Sequence, residues 1–171
     1  MQNLRPHSLH SDPDAGLKPR PGSRLNVLLT EDRRRPVEHW TRQFPRLMRP
    51  LGVEAHLAGS AREALDLADR HTFHAALVDL ATPVGDAATT SQPADRGGLW
   101  LLQVLRRRPN RPPVVVVNSR ATRRQADRLL REALQLGAFS VVNRPDDLRP
   151  LLAAVQRLVN RHYHGQWPSP N

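Results

Sequence analysis

The chain contains no cysteine and a single lysine, Lys18. Without cysteine there are no disulfides and no cysteine-rich zinc sites, and the redox compartment is left open. No apolar run approaches the roughly 18 residues needed to span a bilayer. Residues 1–24 carry Pro6, Pro13, Pro19 and Pro21 and no apolar core of a secretory signal. A soluble cytoplasmic protein with no membrane partner is expected. Glycine-rich phosphate loops, Ser-His-Asp arrangements and zinc signatures are missing too. The eight histidines show no convincing metal-ligand spacing. His71 and His74 flank a strand start, His162 and His164 lie near the end, and all four read as solvated.

What is present is arginine. The 171 residues carry a formal net charge of +10, enough chain for one domain with a real core. The charge is uneven. Between Arg106 and Arg131 there are nine arginines and one acid, Asp127. Such a patch attracts phosphates, acidic protein surfaces or nucleic acid; the alternative is a solvated helix face. Arg33, Arg34 and Arg35 read as the solvated approach to a helix, with a second use in drawing in an anionic partner.

Residues 1–24 are proline-rich and polar and read as a flexible arm. From Leu25 strand-like and helix-like segments alternate. Strands are expected at Leu25–Thr30, Val53–Leu57, Ala75–Leu80, Val114–Val117 and Phe139–Val142. The run Val114–Val117 has the β-branched continuity of a strand buried on both faces. The first helix is expected over Pro36–Leu51, kinked or interrupted by Pro45. The second opens on a capping box, Ser60 with Glu63. The third covers Leu99–Arg107. The fourth covers about Thr122–Leu136, with Ala126, Leu129, Leu130 and Ala133 at helical spacing, Arg120, Arg124, Arg128 and Arg131 on another face, and Gly137 as its stop. The fifth starts near Asp146 or Asp147 and buries Leu148, Leu151, Leu152, Val155, Leu158 and Val159; the chain is expected to fray from Arg161. Alternation of this kind implies a parallel α/β sheet with right-handed crossovers. The expected division is an arm over 1–24, a domain over 25–162 with a flexible insertion at 83–97, and a tail over 163–171.

The chemistry lies at the strand ends. Glu31 and Asp32 close the first strand and Asp79 closes the third. Ligands of open parallel sheets gather outside the carboxyl ends of the strands, where strand order reverses. If the two strands are neighbours the three carboxylates converge, and such a cluster repels itself unless a divalent cation sits in it or a carboxyl is protonated. A hard oxygen site for Mg2+ beside a possible aspartate nucleophile is the sharpest reading.

With these residues in order, the chain resembles the receiver domains of two-component response regulators over roughly Leu25–Val159. The resemblance rests on Glu31-Asp32, Asp79 with Pro83 four residues later, Gly98-Leu99-Trp100-Leu101-Leu102, Pro113 with Val114–Val117, Gly137-Ala138 and Arg144-Pro145. It implies a doubly wound, flavodoxin-like five-stranded sheet of order 2-1-3-4-5. It also implies a signalling domain and not an enzyme, with Glu31, Asp32 and Asp79 holding Mg2+ weakly. Asp79 would accept a phosphoryl group from a histidine kinase or phosphotransfer protein. Other family positions are altered. The phosphate-gripping hydroxyl of strand four is Asn118, with Ser119 beside it expected to point differently. The aromatic switch of strand five is Val141. The lysine before the proline is Arg144, a planar fork in place of a point charge, able to pair bidentately with Asp79. Pro145 permits the cis bond frequent in the family.

Two features belong to this chain. The segment Val84–Arg96 is an insertion at the mouth of the site, and its composition favours a disordered loop over a lid across Asp79. Trp100 stands where the family usually has a polar residue; covering the insertion, a dimer contact and plain packing all fit. Three functions follow, in this order. The first is an atypical single-domain receiver whose output is contact with a protein. The second is a phosphorylation-independent adaptor that binds an acidic partner through the arginines of helix four. The third, not favoured, is nucleic-acid binding by that face.

Overall fold

The computed structural model describes residues 24–31, 40–85, 97–118, 123–143 and 147–165. Its strands are β1 Leu25–Thr30, β2 Val53–Ala58, β3 Ala75–Asp79, β4 Val114–Asn118 and β5 Ser140–Asn143. Its helices are α1 Trp40–Met48, α2 Ala61–Arg70, α3 Gly97–Arg107, α4 Arg123–Gln135 and α5 Leu148–Tyr163, with a 3₁₀ turn at Arg49–Leu51. All strand pairs are parallel and the order is β2-β1-β3-β4-β5. This is the expected doubly wound sheet.

The alternation of side chains along each strand divides the core in two. Leu25, Val27 and Leu29 of β1, with Leu77, Val115 and Val117, meet Trp40, Phe44 and Met48 of α1 and Leu151, Val155 and Leu158 of α5. Leu28, Val78, Val114 and Val116 face the other way, onto Ala61 and Ala64 of α2, Leu101, Leu102 and Leu105 of α3, and Ala133 of α4. With both faces covered, the three inner strands are apolar nearly throughout, as parallel sheets require.

Three expectations are narrowed or corrected. Of a kink or an interruption at Pro45, the interruption does not occur: Pro45 lies inside α1 without ending it. Trp40, Phe44 and Met48 recur every four residues and are all buried, so packing of one continuous face outweighs the lost backbone bond. The chain then tightens into the 3₁₀ turn and stops at Gly52, whose φ of 82° is left-handed. Second, α5 does not fray at Arg161. It runs to Tyr163, whose hydroxyl donates to the His74 carbonyl at 2.7 Å. Third, His74 is not a solvated histidine. Its Nδ1 accepts the Asn26 backbone N–H at 2.9 Å, and half-burial holds its pKa below the ordinary value.

The capping box forms. Ser60 Oγ accepts the Glu63 N–H at 3.2 Å, and Glu63 reaches back to the Gly59 N–H at 2.8 Å. No helix among the described residues is long and apolar enough to cross a membrane.

Candidate functional site

The carboxyl ends of β1, β3 and β4 bring the candidate residues to one edge of the sheet, because β1 and β3 are hydrogen-bonded neighbours. Asp79, the last residue of β3, is 2% exposed. Its backbone is held from both sides. The Asp79 N–H donates to Thr30 Oγ1 on β1 at 3.0 Å, and the next residue, Leu80, donates its N–H to the Val117 carbonyl of β4 at 2.9 Å. One side-chain oxygen of Asp79, Oδ1, accepts the Ala81 N–H at 2.8 Å, and its carbonyl accepts the Thr82 N–H at 3.1 Å. A turn closed on its own aspartate in this way fixes the carboxylate relative to the sheet.

Thr30 and Thr82 complete the cage. Both are fully buried, and their hydroxyls are hydrogen-bonded to each other at 2.7 Å. A buried hydroxyl pair persists only when each partner satisfies the other, so the first residues after β3 are tied to the end of β1. The same stretch is pinned to α2. The Pro83 and Val84 carbonyls accept the Ala61 and Arg62 N–H groups at 2.8 and 3.0 Å. These two carbonyls satisfy donors that a helix N-terminus otherwise leaves open. Pro83 and Val84, placed in the flexible insertion by the sequence, are therefore buried parts of the fold. Residues 86–96 lie outside the described residues.

Two glycines let the next helix close on this turn. A Cβ on Gly98 would stand 2.5 Å from the Asp79 carbonyl oxygen, and one on Gly97 only 2.2 Å from the Thr82 carbonyl oxygen. Both obstacles are backbone, so no side-chain rotation relieves them.

Glu31 follows β1 and is half-buried, its N–H donating to the Ala58 carbonyl at 3.0 Å. The buried Thr41 hydroxyl of α1 donates to Glu31 Oε2 at 2.9 Å. A carboxylate accepts about four hydrogen bonds, so this contact orients Glu31 without exhausting it. Asn118 ends β4, is 3% exposed, and donates from Nδ2 to Oδ1 of Asn143 on β5 at 3.1 Å. Asp32 and Arg144, with Ser119 and Arg33–Arg35, lie outside the described residues.

Of the five sequence-derived site residues, the structure thus places Glu31, Asp79 and Asn118 at one edge. The sequence missed Thr30, Thr41, Thr82 and Asn143. Thr30 had a signal, a hydroxyl at the end of an otherwise apolar strand next to the acidic pair; the others had none. The donors that Glu31 and Asp79 offer are carboxylate oxygens, the chemistry Mg2+ selects. Among the described residues, no group of three or more His, Cys, Asp or Glu is arranged to hold a metal. A cavity of about 750 Å3 lies elsewhere, lined in part by Pro45, Arg49, Pro50 and Gly52.

The fold is that of the CheY-like response regulator receiver domains. A CheY-like receiver domain protein from Methanospirillum hungatei JF-1 superposes with a TM-score of 0.62 at 20% identity, covering 83% of this chain and 98% of that one. The signal receiver domain of a putative Luxo repressor protein from Vibrio parahaemolyticus gives 0.62 at 18% identity, with 82% and 94% covered. A receiver domain, DrrB, in its BeF3-activated form gives 0.60 at 17%, with 81% and 99% covered. At these identities the likeness establishes the fold. Neither a protein-family model nor a curated protein matches the sequence.

Proposed function

We propose that this chain is an atypical receiver in two-component phosphorelay signalling, a non-enzymatic domain whose Asp79 accepts a phosphoryl group. The observation that carries the reading is the Asp79 cage: a carboxylate 2% exposed at the edge of the sheet, fixed through Thr30 and through its own turn. In the transfer, an Asp79 carboxylate oxygen forms a bond to phosphorus as the P–N bond of a phosphohistidine breaks. The imidazole leaves with the bonding pair and takes up a proton from solvent. The donor is a histidine kinase or phosphotransfer protein. Phosphoryl transfer asks a protein mainly for positioning and for neutralised charge. Glu31, Asp32 and Asp79 are the residues that would hold Mg2+, which when bound offsets the repulsion between phosphoryl oxygens and carboxylates. Thr41 orients Glu31, Thr30 anchors the backbone of Asp79, and the Asn118 amide and Arg144 are the groups for the phosphoryl oxygens. Output is contact with a protein partner.

A second reading, a phosphorylation-independent adaptor for an acidic partner, is favoured by Arg128 and Arg131, which are exposed on α4. Backbone NMR with Mg2+ and beryllofluoride, a mimic of the aspartyl phosphate, separates the two. Saturable shifts around Asp79 that vanish in Asp79→Ala support the receiver. Their absence, together with partner binding that survives Asp79→Ala and fails on reversal of Arg128 and Arg131, supports the adaptor.

A further inference from the structure

The Asn118–Asn143 bond answers a question the altered switch positions raise: how a phosphoryl group on Asp79 could be sensed when strand four ends in an amide and strand five carries Val141. β4 lies between β3 and β5, and Asn118 is in direct register with Asn143. One of the two N–H groups of the Asn118 amide is donated to Asn143 Oδ1 at 3.1 Å, which orients the amide toward β5, on the side away from β3 and Asp79. Asn118 is buried at 3% exposure, whereas Asn143 is exposed. Water therefore competes for the acceptor, and the bond is of the modest neutral kind. A phosphoryl oxygen offers the same N–H a charge-assisted bond, roughly twice as strong.

We propose that the Asn118–Asn143 bond is a latch on the phosphoryl site, holding the Asn118 amide toward β5 until a phosphoryl oxygen on Asp79 takes it. The inference rests on the receiver reading. Release frees the side chain of Asn143, immediately before Arg144 and Pro145, so occupancy of Asp79 reaches β5 through an amide exchange without an aromatic residue. A ligand that must open a latch binds more weakly by the fraction of molecules already open. Removing the latch therefore tightens binding.

The test is a titration of the whole chain with beryllofluoride in excess Mg2+. Asn143→Ala is expected to bind about five-fold more tightly than the wild type, the size of one modest hydrogen bond. Asn118→Ala is expected to bind more weakly, and adding Asn143→Ala to it to change nothing further, because the latch acts only through Asn118. In the unsubstituted protein, the side-chain amide signals of both Asn118 and Asn143 are expected to move on saturation. An affinity of Asn143→Ala equal to or weaker than wild type overturns the latch, as do saturated wild-type spectra with the Asn143 amide unmoved. Wild type with no saturable binding at all overturns the receiver reading itself, and the latch with it.

Discussion

The two ends of the sheet are both polar, and they use polarity differently. At the amino end the groups close on one another. The Asn26 N–H donates to His74 Nδ1 and the His74 N–H returns to the Asn26 carbonyl, each at 2.9 Å. Asn26 Nδ2 donates to the Thr72 carbonyl at 3.2 Å, and Tyr163 binds the His74 carbonyl. Every partner is neutral, and the result is a clasp joining β1, the approach to β3 and the end of α5. At the carboxyl end Thr30, Thr82 and the turn after β3 hold a carboxylate in place. Neutral pairs stabilise at modest strength. One end joins the fold; the other, on the function proposed above, positions a reacting carboxylate.

If that contrast is right, the carboxyl end tolerates change worse. The largest effect is expected at Gly97→Ala, where a methyl group would meet three backbone atoms of the stretch from Thr82 to Val84. Overpacking of this kind costs about 3 kcal/mol, read as a lowered denaturant midpoint with an unchanged slope. A midpoint like the wild type's would mean that α3 can back away from the turn. Thr30→Val comes next. It keeps the volume but strands the Asp79 N–H and one hydroxyl partner, for a loss of about 2 kcal/mol. Tyr163→Phe, at the amino end, removes a single bond at a half-buried site and is expected to cost about 1 kcal/mol. Should Tyr163→Phe prove costlier than Thr30→Val, the comparison fails.

The smallest expected effect is a pH dependence. Burial lowers the pKa of His74, and burial with the neighbouring His71 lowers that of His56, against a weaker opposing pull from Glu54. Both imidazoles therefore take up protons less readily in the folded state than in the unfolded one. Stability is full above the unfolded value of about 6.5 and falls as the pH drops below it toward the folded values. His74→Asn retains an acceptor for the Asn26 N–H and does not titrate. Its melting temperature is expected to fall less steeply between pH 6.5 and lower pH, with the remaining slope due to His56. An unaltered slope would place the titration elsewhere.

The sheet was legible because its evidence is redundant. Five apolar runs, the Ser60–Glu63 box and Gly137 each mark boundaries independently, and burial on both faces leaves little choice of register. Glu31 and Asp79 were legible because a carboxylate at the end of an apolar strand is locally costly and needs a reason. Their supports were not. Thr41 and Thr82 are ordinary residues in sequence, ten and three positions from the carboxylates they serve, and Asn143 meets Asn118 only across a strand pair. The same locality explains what was missed or left open. Backbone propensity alone leaves an interruption at Pro45 open, and packing of Trp40, Phe44 and Met48 closes that choice. His74 reads as solvated from its place at a strand start, while its acceptor role comes from Asn26, 48 residues away.

On the proposed function, the carboxylate in the cage is a phosphoryl acceptor. Incubating the protein with Mg2+ and phosphoramidate, a small-molecule phosphoryl donor, and measuring intact mass tests it most directly. One added phosphoryl group is expected, labile to hydroxylamine, dependent on Mg2+ and absent from Asp79→Ala. No mass gain in the folded wild type, or an equal gain in Asp79→Ala, would contradict it.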